Sequence, residues 1–72
     1  MDPWPLPPGA KEVLQALRPV LTQVERGLSH KQATLILQSD GFDAEAIPYY
    51  LELLLDRGHL YEVDDYLFLT DP

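Results

Sequence analysis

Two pairs of carboxylates are the residues whose types and spacing come closest to catalytic chemistry. Glu52 lies four residues before Asp56, and Asp64 is followed at once by Asp65. Neighbouring carboxyl groups can divide acid and base roles when a cleft shifts their pKa values apart. Glu52 and Asp56 are spaced so that they would lie on the same face of a helix. Asp64 and Asp65 are adjacent residues of a type that favours turns. Both settings are normally open to water, so we expect neither pair to be catalytic.

The other reactive residue types stand alone. His30 and His59 have no cysteine or further histidine to complete the roughly four ligands of a zinc site. Ser29 is followed three residues later by Gln32, which is the pattern of a helix capping box rather than of a nucleophile. There is no glycine-rich phosphate loop. The sequence therefore predicts a protein that is not an enzyme and holds no metal or cofactor.

The charge balance is strongly acidic. The chain carries 12 acidic and 5 basic residues, for a formal net charge of −7 at pH 7. Since DNA binding depends on neutralising phosphates, this balance disfavours tight DNA binding. The cations that lie closest together are Arg26, His30 and Lys31, and these would form the contact surface if the chain bound nucleic acid.

Features of export and of membrane insertion are missing from the sequence. The first nine residues have no basic start and no apolar run, unlike a signal peptide. No stretch reaches the roughly 18 apolar residues of a membrane span. There are no cysteines and hence no disulfides. We expect a cytoplasmic protein without membrane contact, complete at 72 residues.

The chain divides into a proline-rich arm, residues 1–9, and a single domain, residues 10–72. Four prolines in nine residues favour an extended, polyproline-like arm. Trp4 and Leu6 are its large apolar side chains. They fold back onto the domain, form a segment that binds a partner, or belong to a disordered tail, and the sequence leaves these alternatives open.

Apolar residues at spacings of three and four predict three helices. The first extends from Ala10 to Arg26, with a kink or break near Arg18 because Pro19 removes a backbone hydrogen bond. The second follows the capping box at Ser29 and closes at Gly41.

The third helix is expected to begin after Asp43, a good N-cap, and to end at Gly58. Pro48 then falls in or near the first turn, where proline costs least. The core is predicted from the inward positions of all elements: Leu17, Ile36, Leu51, Leu54 and Leu60.

The last stretch, residues 59–70, is predicted to form a β-hairpin. It is rich in β-branched and aromatic residues around Asp64 and Asp65, which suit a two-residue turn. Such a turn sets three opposed pairs: Val63 with Tyr66, Tyr61 with Phe68, and Leu60 with Leu69.

Three helices, a very short link between the second and third, and a final hairpin make the order of a winged helix-turn-helix. We therefore predict a mainly α fold with a small β-hairpin as its C-terminal wing. An unrelated three-helix bundle with a hairpin is the alternative.

Residues 44–71 also resemble a known family. The run LLDRGHLY at residues 54–61 looks like the leucines, turn and glycine-aliphatic-tyrosine that lead into the wing of many winged helices. The stretch resembles the C-terminal winged helix of the middle subunit of eukaryotic replication protein A and, more weakly, the C-terminal winged helices of archaeal MCM helicases. The matching residues are Ile47, Gly58, His59, Leu60, Tyr61, Asp64, Asp65, Phe68, Thr70 and Asp71. The wing is slightly shorter here. The resemblance implies a docking module for short helical segments of other proteins.

The third helix and the hairpin carry more apolar surface than a small core absorbs, which is typical of an interface. We predict a partner-binding surface with apolar residues Tyr49, Leu53, Tyr61, Tyr66 and Phe68 and an acidic rim of Glu52, Asp56, Asp64 and Asp65. Its natural complement is a basic amphipathic helix of a protein partner. The alternatives are a DNA-binding regulator of transcription or replication and a homodimerisation domain.

Overall fold

The computed structural model describes residues 6–70, so Trp4 of the arm lies outside the described residues. It contains three helices and three short strands, in the order α1 (Pro8–Gln23), β1 (Leu28–Ser29), α2 (His30–Ser39), α3 (Ile47–Asp56), β2 (Leu60–Val63) and β3 (Tyr66–Leu69). The strands form one antiparallel sheet in the order β1-β3-β2. This is the predicted fold class, a mainly helical winged-helix arrangement with a β-hairpin wing. None of the helices in residues 6–70 is long and apolar enough to cross a membrane.

Helix α1 differs from the sequence prediction at both ends. It begins at Pro8, because proline at the first helical positions is already set to helical φ. It ends at Gln23 rather than Arg26, since the chain then turns through Gly27 to bring β1 beside β3. Of the kink or break expected near Arg18, the break does not occur, because the helix continues past Pro19 to Gln23. Pro19 is exposed, and so is Gln15, the residue whose carbonyl lacks the usual hydrogen bond from position 19.

Helix α2 begins and ends as predicted. The Ser29 side chain accepts a hydrogen bond from the backbone N–H of Gln32, and the Gln32 side chain accepts one from the backbone N–H of Ser29. At the other end, Phe42 and Gly41 donate to the carbonyls of Leu37 and Gln38, which satisfies the last turn.

Helix α3 begins later than predicted, at Ile47. Asp43 instead stabilises a separate turn, where its side chain accepts from the backbone N–H of Glu45. An α-helix that began at Ala44 would need an N–H at residue 48 to reach the Ala44 carbonyl, and Pro48 has none. The C-terminus is as predicted: Gly58 has a φ of 79°, and His59 donates to the Leu54 carbonyl.

One apolar core joins the helices to the inner face of the sheet. Four of the five predicted core residues, Leu17, Leu51, Leu54 and Leu60, are at most 2% exposed. The fifth prediction, Ile36, is wrong in degree, since it is only partly buried and its neighbour Leu37 takes the central position. The other core side chains include Val13 of α1, Ile47 of α3 and Leu67 of β3.

The hairpin has the predicted register. Val63 pairs with Tyr66, Tyr61 with Phe68 and Leu60 with Leu69. Asp64 and Asp65 have φ values of 51° and 69°, which is the backbone of a two-residue type I′ turn. Alternation then buries Leu60 and Leu67 against the helices and places Tyr61, Val63, Tyr66 and Phe68 on the outer side of the sheet.

Candidate functional site

The exposed side of α3 presents the first candidate surface, called here the helix face: Tyr49, Glu52, Leu53 and Asp56. Positions three, four and seven apart lie on one side of a helix, and these four side chains line one shallow hollow. Tyr49 is 60% exposed, and Leu53 is half-buried against the core. Both carboxylates are exposed. The helix face therefore combines apolar and acidic groups on one rigid element.

The Tyr49 ring lies beside the ring of the neighbouring Tyr50. The rings of Tyr49 and Tyr50 lie 5.5 Å apart at a tilt of 58°. Tyr50 packs against the first turn of α1, where its ring would meet any side chain placed at Gly9. Helix α1 thus holds Tyr50 in place, and the exposed Tyr49 ring lies beside it.

A groove separates the helix face from strand β2. It is lined by Pro48, Glu52, Leu55 and Asp56 of α3, by His30 of α2 and by Glu62 of β2. His30 Nε2 donates a hydrogen bond to Glu62 Oε2 at 2.7 Å, across the far wall. Glu52 and Asp56 form a ridge, because they line both this groove and the hollow beside Tyr49.

The outer side of the hairpin presents the second candidate surface, called here the wing face: Tyr61, Val63, Tyr66 and Phe68. Tyr61, Val63 and Tyr66 are between 41% and 49% exposed. The rings of Tyr61 and Phe68 stack at 5.3 Å and 17°. Phe68 in turn lies over Gly27, where an added Cβ would come within 2.9 Å of the ring.

Two opposite charges border the wing face. Arg26 and Asp64 line one hollow of about 330 Å³ together with Val63, Tyr66 and Phe68. The Arg26 and Asp64 side chains are not paired with each other or with any other residue in the described part of the chain. Asp65 lies next in the same turn and is exposed, but it does not line this hollow.

The structure divides the predicted partner-binding residues between these two surfaces. Tyr49, Glu52, Leu53 and Asp56 are together on the helix face. The predicted wing residues Tyr61, Tyr66, Phe68, Asp64 and Asp65 lie on or beside the outer side of the sheet. The strand residue that reaches toward α3 is Glu62, which alternates with the wing face and points to the other side.

The three cations suggested for nucleic-acid contact do not share a site. His30 is paired with Glu62 in the groove beside α3. Arg26 borders the wing face. Lys31 is exposed on α2 and lines neither of these hollows. Within residues 6–70, no group of three or more histidine, aspartate or glutamate residues is placed to hold a metal ion.

Sequence reasoning missed the roles of Glu62, Arg26 and strand β1. The His30–Glu62 pair joins residues 32 positions apart, and no local pattern marks such a pair. Arg26 reaches the wing because Leu28 and Ser29 pair with Leu67 and Tyr66. A strand of two residues is too short to show alternation, and the serine was already explained as a helix cap.

Comparisons of the chain with protein-family models, with curated proteins and with solved structures found no match. The candidate surfaces therefore have to be interpreted from their own geometry and charge.

Proposed function

We propose that this protein is a non-enzymatic interaction module that binds a cationic amphipathic helix of a partner protein on its helix face. The observation that carries the proposal is the position of Tyr49. It is the most exposed large apolar side chain in residues 6–70, at 60%, and it shares a hollow with Leu53 between two carboxylates. A large aromatic group held at the surface is the residue type most enriched at binding interfaces.

The charge of the surroundings defines the occupant. Glu52 and Asp56 border the hollow, and Glu62 continues the acidic wall across the groove. Lysine or arginine side chains of a partner that lie along this ridge are attracted to its carboxylates. An acidic partner or a phosphate backbone is repelled. An amphipathic helix supplies both parts, because its apolar stripe covers Tyr49 and Leu53 while its flanks carry the cations.

A synthetic helical peptide with one leucine stripe flanked by lysines is a direct probe. Titrated into isotope-labelled protein, it should shift the backbone amide signals of Tyr49, Glu52, Leu53 and Asp56 most strongly. Replacing the stripe leucines by serine keeps every charge of the peptide and should abolish these shifts, because the apolar contact is lost.

Charge reversal on the protein tests the acidic ridge. The double substitution Glu52→Lys with Asp56→Lys should weaken peptide binding by at least about tenfold, since like charges then meet across the interface. The matched control is Glu12→Lys with Asp40→Lys, which reverses two exposed carboxylates around a different hollow and changes the net charge equally.

The control separates a site from a general charge effect. It should change the affinity by less than about threefold, because distant surface charges are largely screened. Equal weakening by both double variants, or peptide-induced shifts centred on the wing face, would contradict the proposal.

A further inference from the structure

We propose that the wing face is a seam between two copies of this chain, formed by the outer side of the hairpin around a two-fold axis. The proposal does not rest on the occupant of the helix face. It starts from the hollow lined by Arg26, Val63, Asp64, Tyr66 and Phe68. Apolar side chains form its floor, and one cation and one anion stand at its border.

The mixed charge of this hollow selects among the occupants. A cationic helix would meet Arg26, and an acidic segment would meet Asp64 with Asp65 beside it. A second copy carries both signs in the same arrangement. In a two-fold contact each residue of the patch meets the same patch, so Arg26 of each protomer can face Asp64 of its partner.

The unpaired state of both charges supports this arrangement. Arg26 and Asp64 line one hollow, yet neither side chain forms an ion pair or hydrogen bond within residues 6–70. Each is therefore available to the other copy. The apolar residues of the wing face supply the surface to be buried, since Tyr61, Val63 and Tyr66 are each exposed by more than two fifths.

The size of the face sets the expected strength. Four apolar residues and two charges make a small seam, below the area of a standard permanent interface. Each protomer also carries a net charge of −7, which repels its partner at long range. We expect a weak, concentration-dependent dimer, measurable by sedimentation equilibrium from low micromolar to low millimolar protein.

Two single charge reversals and their mixture form the decisive experiment. With Arg26→Glu alone, the new glutamate of each protomer faces Asp64 of its partner, so two acidic pairs form. With Asp64→Lys alone, the new lysine of each protomer faces Arg26 of its partner, so two cationic pairs form. Each is expected to weaken dimerisation by at least about tenfold. An equimolar mixture of the two variants should associate about as tightly as the wild type, because both contacts between unlike protomers are then complementary.

Asp64 has a positive φ, so its replacement needs a matched control. Asp65→Lys carries the same charge change and a similar backbone strain in the same turn, but residue 65 does not line the hollow. It should leave dimerisation within about threefold of the wild type, as expected for a rim charge. If Asp64→Lys does not fold, Asp64→Asn removes the charge in a residue that tolerates this backbone and should still weaken the dimer.

The outcomes that overturn the proposal are distinct. They are a wild-type chain that stays monomeric throughout the range, a mixture that fails to restore association, and equal weakening by Asp65→Lys. The double variant Glu52→Lys with Asp56→Lys serves as a further control. Neither residue lines the wing-face hollow, and the change makes the net charge less negative, so it should not weaken dimerisation.

Discussion

The helix face and the wing face are both apolar surfaces built over one core, and they differ in charge. The charged residues that line the hollow of the helix face are both carboxylates, whereas the wing face has an arginine and an aspartate at its border. An acidic surface of one sign favours a cationic partner, and a surface with both signs can complement itself. Under the two proposals, the exposed apolar residues mark each surface as an interface, and the pattern of charges distinguishes the two occupants.

The two faces also differ in construction. The helix face comes from eight consecutive positions of α3 and is as rigid as that helix. The wing face lies on β2 and β3, and the pairing of β1 with β3 brings Arg26 to its border. A substitution in a single element should therefore affect binding at one face more than at the other. A substitution that unfolds the shared core should abolish binding at both faces.

The largest expected effect comes from the shared core. Leu54 is fully buried on α3, and Leu54→Ala should lower the free energy of unfolding by about 2–5 kcal/mol through lost burial and a cavity. A domain of this size has on the order of 5 kcal/mol in total, so both faces should be lost together. Urea denaturation followed by circular dichroism measures the change.

Leu35→Ala is the matched control for that substitution. The side chain is 55% exposed on α2, and its truncation should change stability by less than about 0.5 kcal/mol. A Leu54→Ala variant with a near-native unfolding midpoint would show that the α3 register described above is wrong.

Substitutions at two glycines should reduce stability by smaller amounts, and by different amounts at the two positions. Gly27 has a φ of 81°, and an added Cβ would lie 2.6 Å from the Leu67 carbonyl oxygen and 2.9 Å from the Phe68 ring. Gly58, at the end of α3, has a φ of 79° with nothing within 4 Å. We expect Gly58→Ala to cost about 1 kcal/mol from the backbone alone, and Gly27→Ala about 2–4 kcal/mol because the clash adds to the same strain.

Thermal melts of the two variants, with Gly58→Val as a third, give the comparison. The valine variant should lose more than about 1 kcal/mol, since β-branched residues tolerate positive φ poorly. Gly27→Ala should also weaken dimerisation, because it displaces Phe68 from the wing face, whereas Gly58→Ala should not. Equal losses of stability for Gly27→Ala and Gly58→Ala would contradict the close approach of Gly27 to Phe68 and the Leu67 carbonyl.

The elements that the sequence predicted well are those controlled by local rules. The hairpin register followed from alternation and a two-residue turn, and the start of α2 followed from the capping pair Ser29 and Gln32. The start of α3 was misplaced because Asp43 is a good cap, yet Pro48 lacks the N–H that a helix from Ala44 would need.

The surfaces were harder to predict than the fold. Outward positions on α3 and on the hairpin were identified from periodicity, because each lies within one element. Their separation into two faces depends on the direction of Glu62, which alternation assigns to the groove side. The charge beside the wing face depends on the pairing of β1 with β3, which carries Arg26 there from the far end of α1. Such contacts arise from tertiary structure and leave no local pattern.

The smallest expected effect is that of duplex DNA, which we expect neither face to bind at physiological salt. The cations that could contact phosphates are dispersed, with His30 held by Glu62 and Arg26 beside Asp64. Affinity for DNA grows with the number of phosphates neutralised together, so three separated cations against a net charge of −7 give little gain.

Fluorescence anisotropy of a labelled random-sequence duplex should stay flat up to high micromolar protein. Micromolar binding with a steep salt dependence would overturn this expectation. Its loss in Lys31→Glu would then place the contact at the start of α2, and its loss in Arg26→Glu would place it beside the wing face. If both variants kept the DNA binding, the contact would instead lie at the wing tip. Asp64→Lys and Asp65→Lys should then strengthen DNA binding, because they add cations where a wing approaches phosphates.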